Sequence, residues 1–131
     1  MSTRDSVSVI LPDLDTTQSV ATATISATAI DASKGVVIPN ALDNKNNSLA
    51  IVVTNTSTVS ASNVILVKSD MYPNALLGNC TISVPQNSTM CIQLQDISRF
   101  EQKDGSILIN FASGYSGTIY AIAKSAGVVS V

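Results

Sequence analysis

Apolar and polar positions along this chain repeat with a period of two, not with the three-to-four spacing of an amphipathic helix. Residues 49–56 (LAIVVTNT) and 63–69 (NVILVKS) are rich in β-branched side chains and predict strands separated by a Ser/Thr/Asn loop. Residues 80–95 (CTISVPQNSTMCIQLQ) predict a hairpin turning through residues 85–88. Residues 106–125 (SILINFASGYSGTIYAIAKS) hold two further β-type runs around a glycine-rich break, opened by the turn pair Asp104-Gly105. Between these lie an irregular crossing loop (71–79, MYPNALLGN) and a one-turn corner (96–102, DISRFEQ).

The first third is less regular. Residues 19–31 (SVATATISATAID) predict a Thr-rich outer strand, and 35–39 (GVVIP) a short strand ended by a proline that cannot continue a central ladder. Residues 41–48 (ALDNKNNS) are turn chemistry throughout. Residues 1–19 are polar around one apolar knot, VSVIL, and predict an extended arm with one strand. With about seven to nine strands and no helix-period stretch, the expected fold is all-β: a single antiparallel β-sandwich, immunoglobulin-like or jelly-roll-like. An N-terminal arm (1–19) would precede the sandwich domain (20–131). Alternation assigns Ile51, Val53, Ile82, Val84, Ile92, Leu94, Ile107, Ile109, Phe111, Ile119 and Ala121 to the core.

Composition narrows the picture. A chain of 131 residues makes one domain, large enough for a core without staples. Apolar residues make up 45% but aromatics only 4%, with no tryptophan, so that core is aliphatic. Charged residues reach only 12%, about half the usual share, which leaves a surface of neutral Ser, Thr, Asn and Gln. The basic residues are scattered and the net charge is −2, so no positive patch exists to displace counterions from a nucleic acid. No run approaches the roughly 18 apolar residues of a membrane span. The N-terminal residues lack the pattern of a secretion signal, and synthesis and use in one compartment are expected.

Candidate chemistry is sparse. Histidine is absent, which removes the usual general base and the commonest metal ligand. GYSGT (114–118) departs from a nucleophile elbow at Thr118, and Ser116 reads as a turn residue. DNKNNS (43–48) fails as a calcium loop because Lys45 stands at a ligand position and no Glu closes it. Asp13 and Asp15 read as a solvated pair. Period two puts Cys80 on the face of Ile82 and Val84 but Cys91 on the face opposite Met90, Ile92 and Leu94, which argues against a disulfide. Glycosylation-type triplets at Asn46, Asn55, Asn79 and Asn87 are expected by chance in so Asn- and Ser-rich a chain. Of Tyr72, Tyr115 and Tyr120, the loop residue Tyr115 is expected to be exposed, and exposed aromatics favour interfaces.

Four stretches in order, NNSLAIVVTNTS, CTISVPQNSTMCIQLQ, SRFEQKDGSILINF and GTIYAIAK, resemble a family of tailed-bacteriophage capsid decoration (head-stabilising) proteins. The likeness spans roughly residues 47–124, and its motifs are structural rather than catalytic. It implies a virion protein on the capsid exterior, made in the host bacterial cytoplasm, with no enzymatic activity and no cofactor. Its partner would be the major capsid protein, with a homotrimer and a monomeric knob both compatible, and neither nucleic acid nor membrane involved. The contact candidates are Val7, Val9, Ile10, Leu11 and Leu14 of the arm together with Tyr115. The 19–31 strand and the apolar GVVSV (127–131) are further attachment pieces. The competing reading is a bacterial surface or carbohydrate-binding module, which calls for a secretion signal and aromatic platforms. An enzyme is disfavoured by the missing histidine and the lack of clustered carboxylates.

Overall fold

A computed structural model describes residues 3–15, 17–39, 49–57, 62–94 and 97–123, apart from the side chains of Leu14, Asp15 and Ile97. The β-branched runs form the strands in it. The first sheet contains β1 (Asp5–Ser6), β6 (Val36–Ile38), β8 (Ser62–Leu66), β9 (Cys80–Val84) and β11 (Ile107–Phe111). The second contains β2 (Val9–Ile10), β5 (Thr28–Ala29), β7 (Leu49–Asn55), β10 (Ser88–Leu94) and β12 (Thr118–Ala123). A separate two-stranded ribbon pairs β3 (Asp13–Asp15) with β4 (Val20–Thr22). Strand order is β1-β6-β11-β8-β9 in the first sheet and β10-β7-β12-β2 in the second, with β5 beside the start of β12. The two five-stranded sheets pack together as a β-sandwich. Most pairings are antiparallel; β1 on β6 and β2 on β12 are parallel, so both sheets are mixed.

Alternation does the packing. β7 buries Leu49, Ile51, Val53 and Asn55 and turns its even-numbered residues outward. β11 and β12 follow the same rule with Ile107, Ile109 and Phe111, and with Ile119, Ala121 and Ala123. Each fully buried Val or Ile contributes about 1.5–3 kcal/mol of transfer free energy, and these side chains meet those of β6 and β8 in one core. Of the residues expected in the core, only Ile82 is merely half-buried, where it lines an open groove at one edge of the sandwich.

Residues 80–95 do not form a hairpin. β9 is the outermost strand of the first sheet and β10 the outermost of the second, and residues 85–87 arch between them. Inward-facing side chains alternate in the same way in a hairpin and in an arch, so the pattern could not separate the two. Two local features fit the arch. Asn87 adopts φ +52°, a left-handed conformation that Asn tolerates. Asn55, buried in β7, donates from Nδ2 to the Val84 carbonyl across the sandwich (3.1 Å) and accepts the Ser57 N–H at Oδ1 (2.9 Å).

Within the expected N-terminal arm, residues 5–10 pair in both sheets. Asp5 and Ser6 lie beside Val36 and Val37, and Val9 and Ile10 beside Ala121 and Ile122. Val7 sits at the crossing, its N–H bonded to the Val37 carbonyl (2.9 Å). Arg4 anchors the entry by donating from Nη1 to the Ile109 carbonyl (3.0 Å). The expected 19–31 strand is two short pieces instead, β4 and β5, with exposed chain between them.

Candidate interaction surface

Two of the sequence-derived contact candidates are core residues. Val7 is 3% exposed, because the crossing from β1 to β2 carries it between the sheets. Tyr115 is 4% exposed rather than presented to a partner. The loop after β11 folds back through a Tyr115 N–H to Ala112 carbonyl bond (3.0 Å), which sets the Tyr115 ring against Phe111 at a 46° tilt, with ring centroids 5.1 Å apart. Its hydroxyl donates to the Thr54 carbonyl of β7 (2.8 Å), tying the β11–β12 crossing to the second sheet. Burial pushes the phenol up to about 12. Gly117 completes this corner: a Cβ there would stand 2.0 Å from the Thr54 carbonyl oxygen, so only glycine fits. Ser116, the elbow-like serine, bonds Thr56 through both backbone and hydroxyl.

The remaining arm candidates lie closer to solvent. Val9 and Ile10 are half-buried on β2, and Leu11 is exposed. The β3–β4 ribbon follows, with Asp13 and the three residues of β4 exposed; Val20 and, beyond it, Ile25 add to its apolar content. The ribbon places Leu14 opposite Ala21.

A more strongly exposed apolar group lies on the loop between β8 and β9. Tyr72 is 83%, Leu76 73% and Leu77 59% exposed. Their backbone is held firmly. The 3-10 turn Asn74–Leu77 is closed by Ala75 N–H to the Met71 carbonyl (2.8 Å) and Leu76 N–H to the Pro73 carbonyl (3.0 Å). Asn74 donates to the Ser98 carbonyl (3.1 Å), and the Lys68 N–H donates to Asn79 Oδ1 (2.8 Å). These bonds fix the loop while leaving its largest side chains in solvent. The sequence signal was present in MYPNALLGN: apolar residues set among Pro, Asn and Gly, with no alternation that would give them a core face.

Beneath this loop, between β9 and β10, runs an apolar groove of about 440 Å³ lined by residues including Leu66, Cys80, Ile82, Ile92, Leu94 and Phe100. Cys80 is half-buried against the core and Cys91 is exposed, and both thiols are free. Near the groove, the Arg99 guanidinium lies 4.9 Å from the Phe100 ring centroid. Glu101 is buried, and desolvation raises its carboxyl above the ordinary value. Across the Asp104 turn, the Ser106 hydroxyl (2.6 Å) and N–H (3.0 Å) donate to Asp104 Oδ1 and hold that carboxyl below its ordinary value.

Among the described residues, no group of three or more Cys, Asp or Glu side chains is placed to hold a metal ion. Of the four Asn-X-Ser/Thr triplets, Asn55 is a buried structural residue and Asn79 a loop clamp. The calcium-like stretch 43–48 and the GVVSV segment lie outside the described residues. No family model, curated protein or solved structure matches this chain.

Proposed function

We propose that this chain is a structural virion protein that coats the outside of a tailed-phage head by binding the major capsid protein. The observation that carries the reading is the apolar group Tyr72, Leu76 and Leu77, held out in solvent on a loop whose backbone is fixed by hydrogen bonds. A preformed aromatic and aliphatic patch loses little conformational freedom on docking, and Tyr is a common anchor of such contacts. The exposed β3–β4 ribbon offers a second element of a different kind, with main-chain groups for pairing to a neighbour's strand. A surface poor in charge costs little to desolvate, and many copies on one shell reach firm attachment from modest individual contacts.

Co-sedimentation with undecorated phage shells tests the reading. Wild-type protein is expected to pellet with shells saturably, and a Tyr72→Ala, Leu76→Asp double variant to lose at least about tenfold in apparent affinity, as hot-spot truncation does. Both side chains are exposed, so the variant keeps its fold. No saturable co-sedimentation of the wild type sinks the proposal, and equal binding by the variant removes the loop from it.

A further inference from the structure

An outer strand presents a row of unpaired main-chain groups, and folded proteins guard such an edge with charge, proline, a bulge or brevity. Four strands end the two sheets: β1 and β9 in the first, β10 and β2 in the second. β1 and β2 are two residues long, and Asp5 of β1 is ion-paired with Lys34 (3.6 Å). β9 has five residues and stops at Pro85. β10 has none of these devices. Its seven residues, Ser88–Leu94, pair one for one with Asn55–Leu49 without a bulge, and they include neither a charge nor a proline. No strand among the described residues pairs with its other edge. The lack of charge extends through the whole of residues 80–95.

The same strand is complementary to itself. Under a two-fold axis at Cys91, antiparallel pairing sets each residue opposite the one equally far beyond Cys91 in a second copy. Met90 then lies opposite Ile92 of the second copy, an apolar pair on the core-facing side. Thr89 lies opposite Gln93, a hydrogen-bonding pair on the solvent-facing side, and Ser88 lies opposite Leu94. Like charges directly opposite one another destabilise a strand pair, and none meet along this seam. A second copy here also brings apolar side chains to the side of the sandwich where Cys80, Ile82 and Met90 are only half-buried.

We infer that the free edge of β10 is the seat of a second copy of this chain. Two molecules join edge to edge through antiparallel β10 strands, with the two-fold axis at Cys91, and their second sheets become one continuous sheet. A seam between two identical strands is used up by one partner, so assembly closes at a dimer. The inference is independent of capsid binding.

Sedimentation of the full chain at concentrations up to about 1 mM tests this. The wild type is expected to pass from 13.6 kDa to twice that mass as concentration rises. Thr89→Lys combined with Gln93→Lys sets lysine opposite lysine twice across the axis, and is expected to weaken the dimer at least about tenfold. Thr89→Lys combined with Gln93→Glu makes both pairs attractive, and is expected to restore association to within about threefold of the wild type. Both side chains are exposed, so both variants are expected to keep cooperative unfolding. The reversal is specific to this register, because only an axis at Cys91 sets residue 89 opposite residue 93. Air oxidation of the wild-type dimer is expected to link Cys91 to its own copy, since directly opposed Cα atoms stand about 4.5–5.5 Å apart, within disulfide reach. A monomer at every concentration overturns the inference, as does a trimer. So does a two-lysine variant that associates like the wild type, a lysine–glutamate variant no stronger than the two-lysine one, or cross-linking through Cys80 in place of Cys91.

Discussion

Residues 5–10 and residues 80–94 both carry the chain from the first sheet to the second, on opposite sides of the sandwich, and they do it by different means. The first crossing uses two-residue strands in parallel pairings, with a single buried aliphatic, Val7, between them. The second uses strands of five and seven residues in antiparallel pairings, joined by a tight arch that Asn55 clamps with one buried amide. Long alternating runs bring their own strand-forming information, and the arch needs one polar tie to set its path. The N-terminal strands bring little of their own. Partners already in place recruit them, so one side chain carries a larger share of the crossing.

The comparison can be broken most sharply at Val7. Val7→Asp places an unpaired carboxylate between the sheets and is expected to cost more than about 3 kcal/mol, or to unfold the chain, in urea titration. A smaller loss would mean that residues 5–10 peel away freely and that the crossing is an ornament on a sandwich stable without it. Next in size, Asn55→Ala strips the Val84 carbonyl of its amide donor and is expected to cost about 2 kcal/mol in the same assay. A loss equal to that of Val7→Asp would erase the distinction drawn between the two crossings.

A third crossing, from β11 to β12, sharpens the contrast because its tie titrates. Tyr115→Phe removes the hydroxyl bond to Thr54 and is expected to cost about 1 kcal/mol at neutral pH. Burial raises the Tyr115 phenol from 10.0 to about 12 in the folded protein. The unfolded chain therefore loses its proton first, and this contribution to stability is intact below pH 10 and declines as pH rises from 10 toward about 12. The wild-type minus Phe difference in unfolding free energy should shrink across that window. A difference flat with pH would mean that the hydroxyl is open to water.

The sequence was informative where a strand has one wet face and one dry face. β7, β8, β11 and β12 lie where the alternation put them, and Cys80 and Cys91 fall on opposite faces for the same reason. Sheet membership was harder to read, because Ile82, Val84, Ile92 and Leu94 point inward whether β9 and β10 share a sheet or face each other across the core. Tyr115 was misplaced by its company of Gly, Ser and Gly. Those residues made a loop, and the loop turned back to lay the ring on Phe111 four residues earlier. Val7 hid in a polar segment too short to show a period. The exposed patch at Tyr72, Leu76 and Leu77 had its signal in an aperiodic apolar stretch, though nothing local said how tightly its backbone would be tied.

The parallel pairing of Val9 with Ala121 joins the two extremes of the chain. During synthesis, β2 leaves the ribosome long before the strand it rests on exists, and β7 likewise waits for β10 and β12. Contacts so distant in sequence make assembly slow and late. The nascent polypeptide should therefore remain protease-sensitive until its last strand emerges, and ribosome-bound fragments stalled just short of Thr118 should show none of the resistance of the released protein.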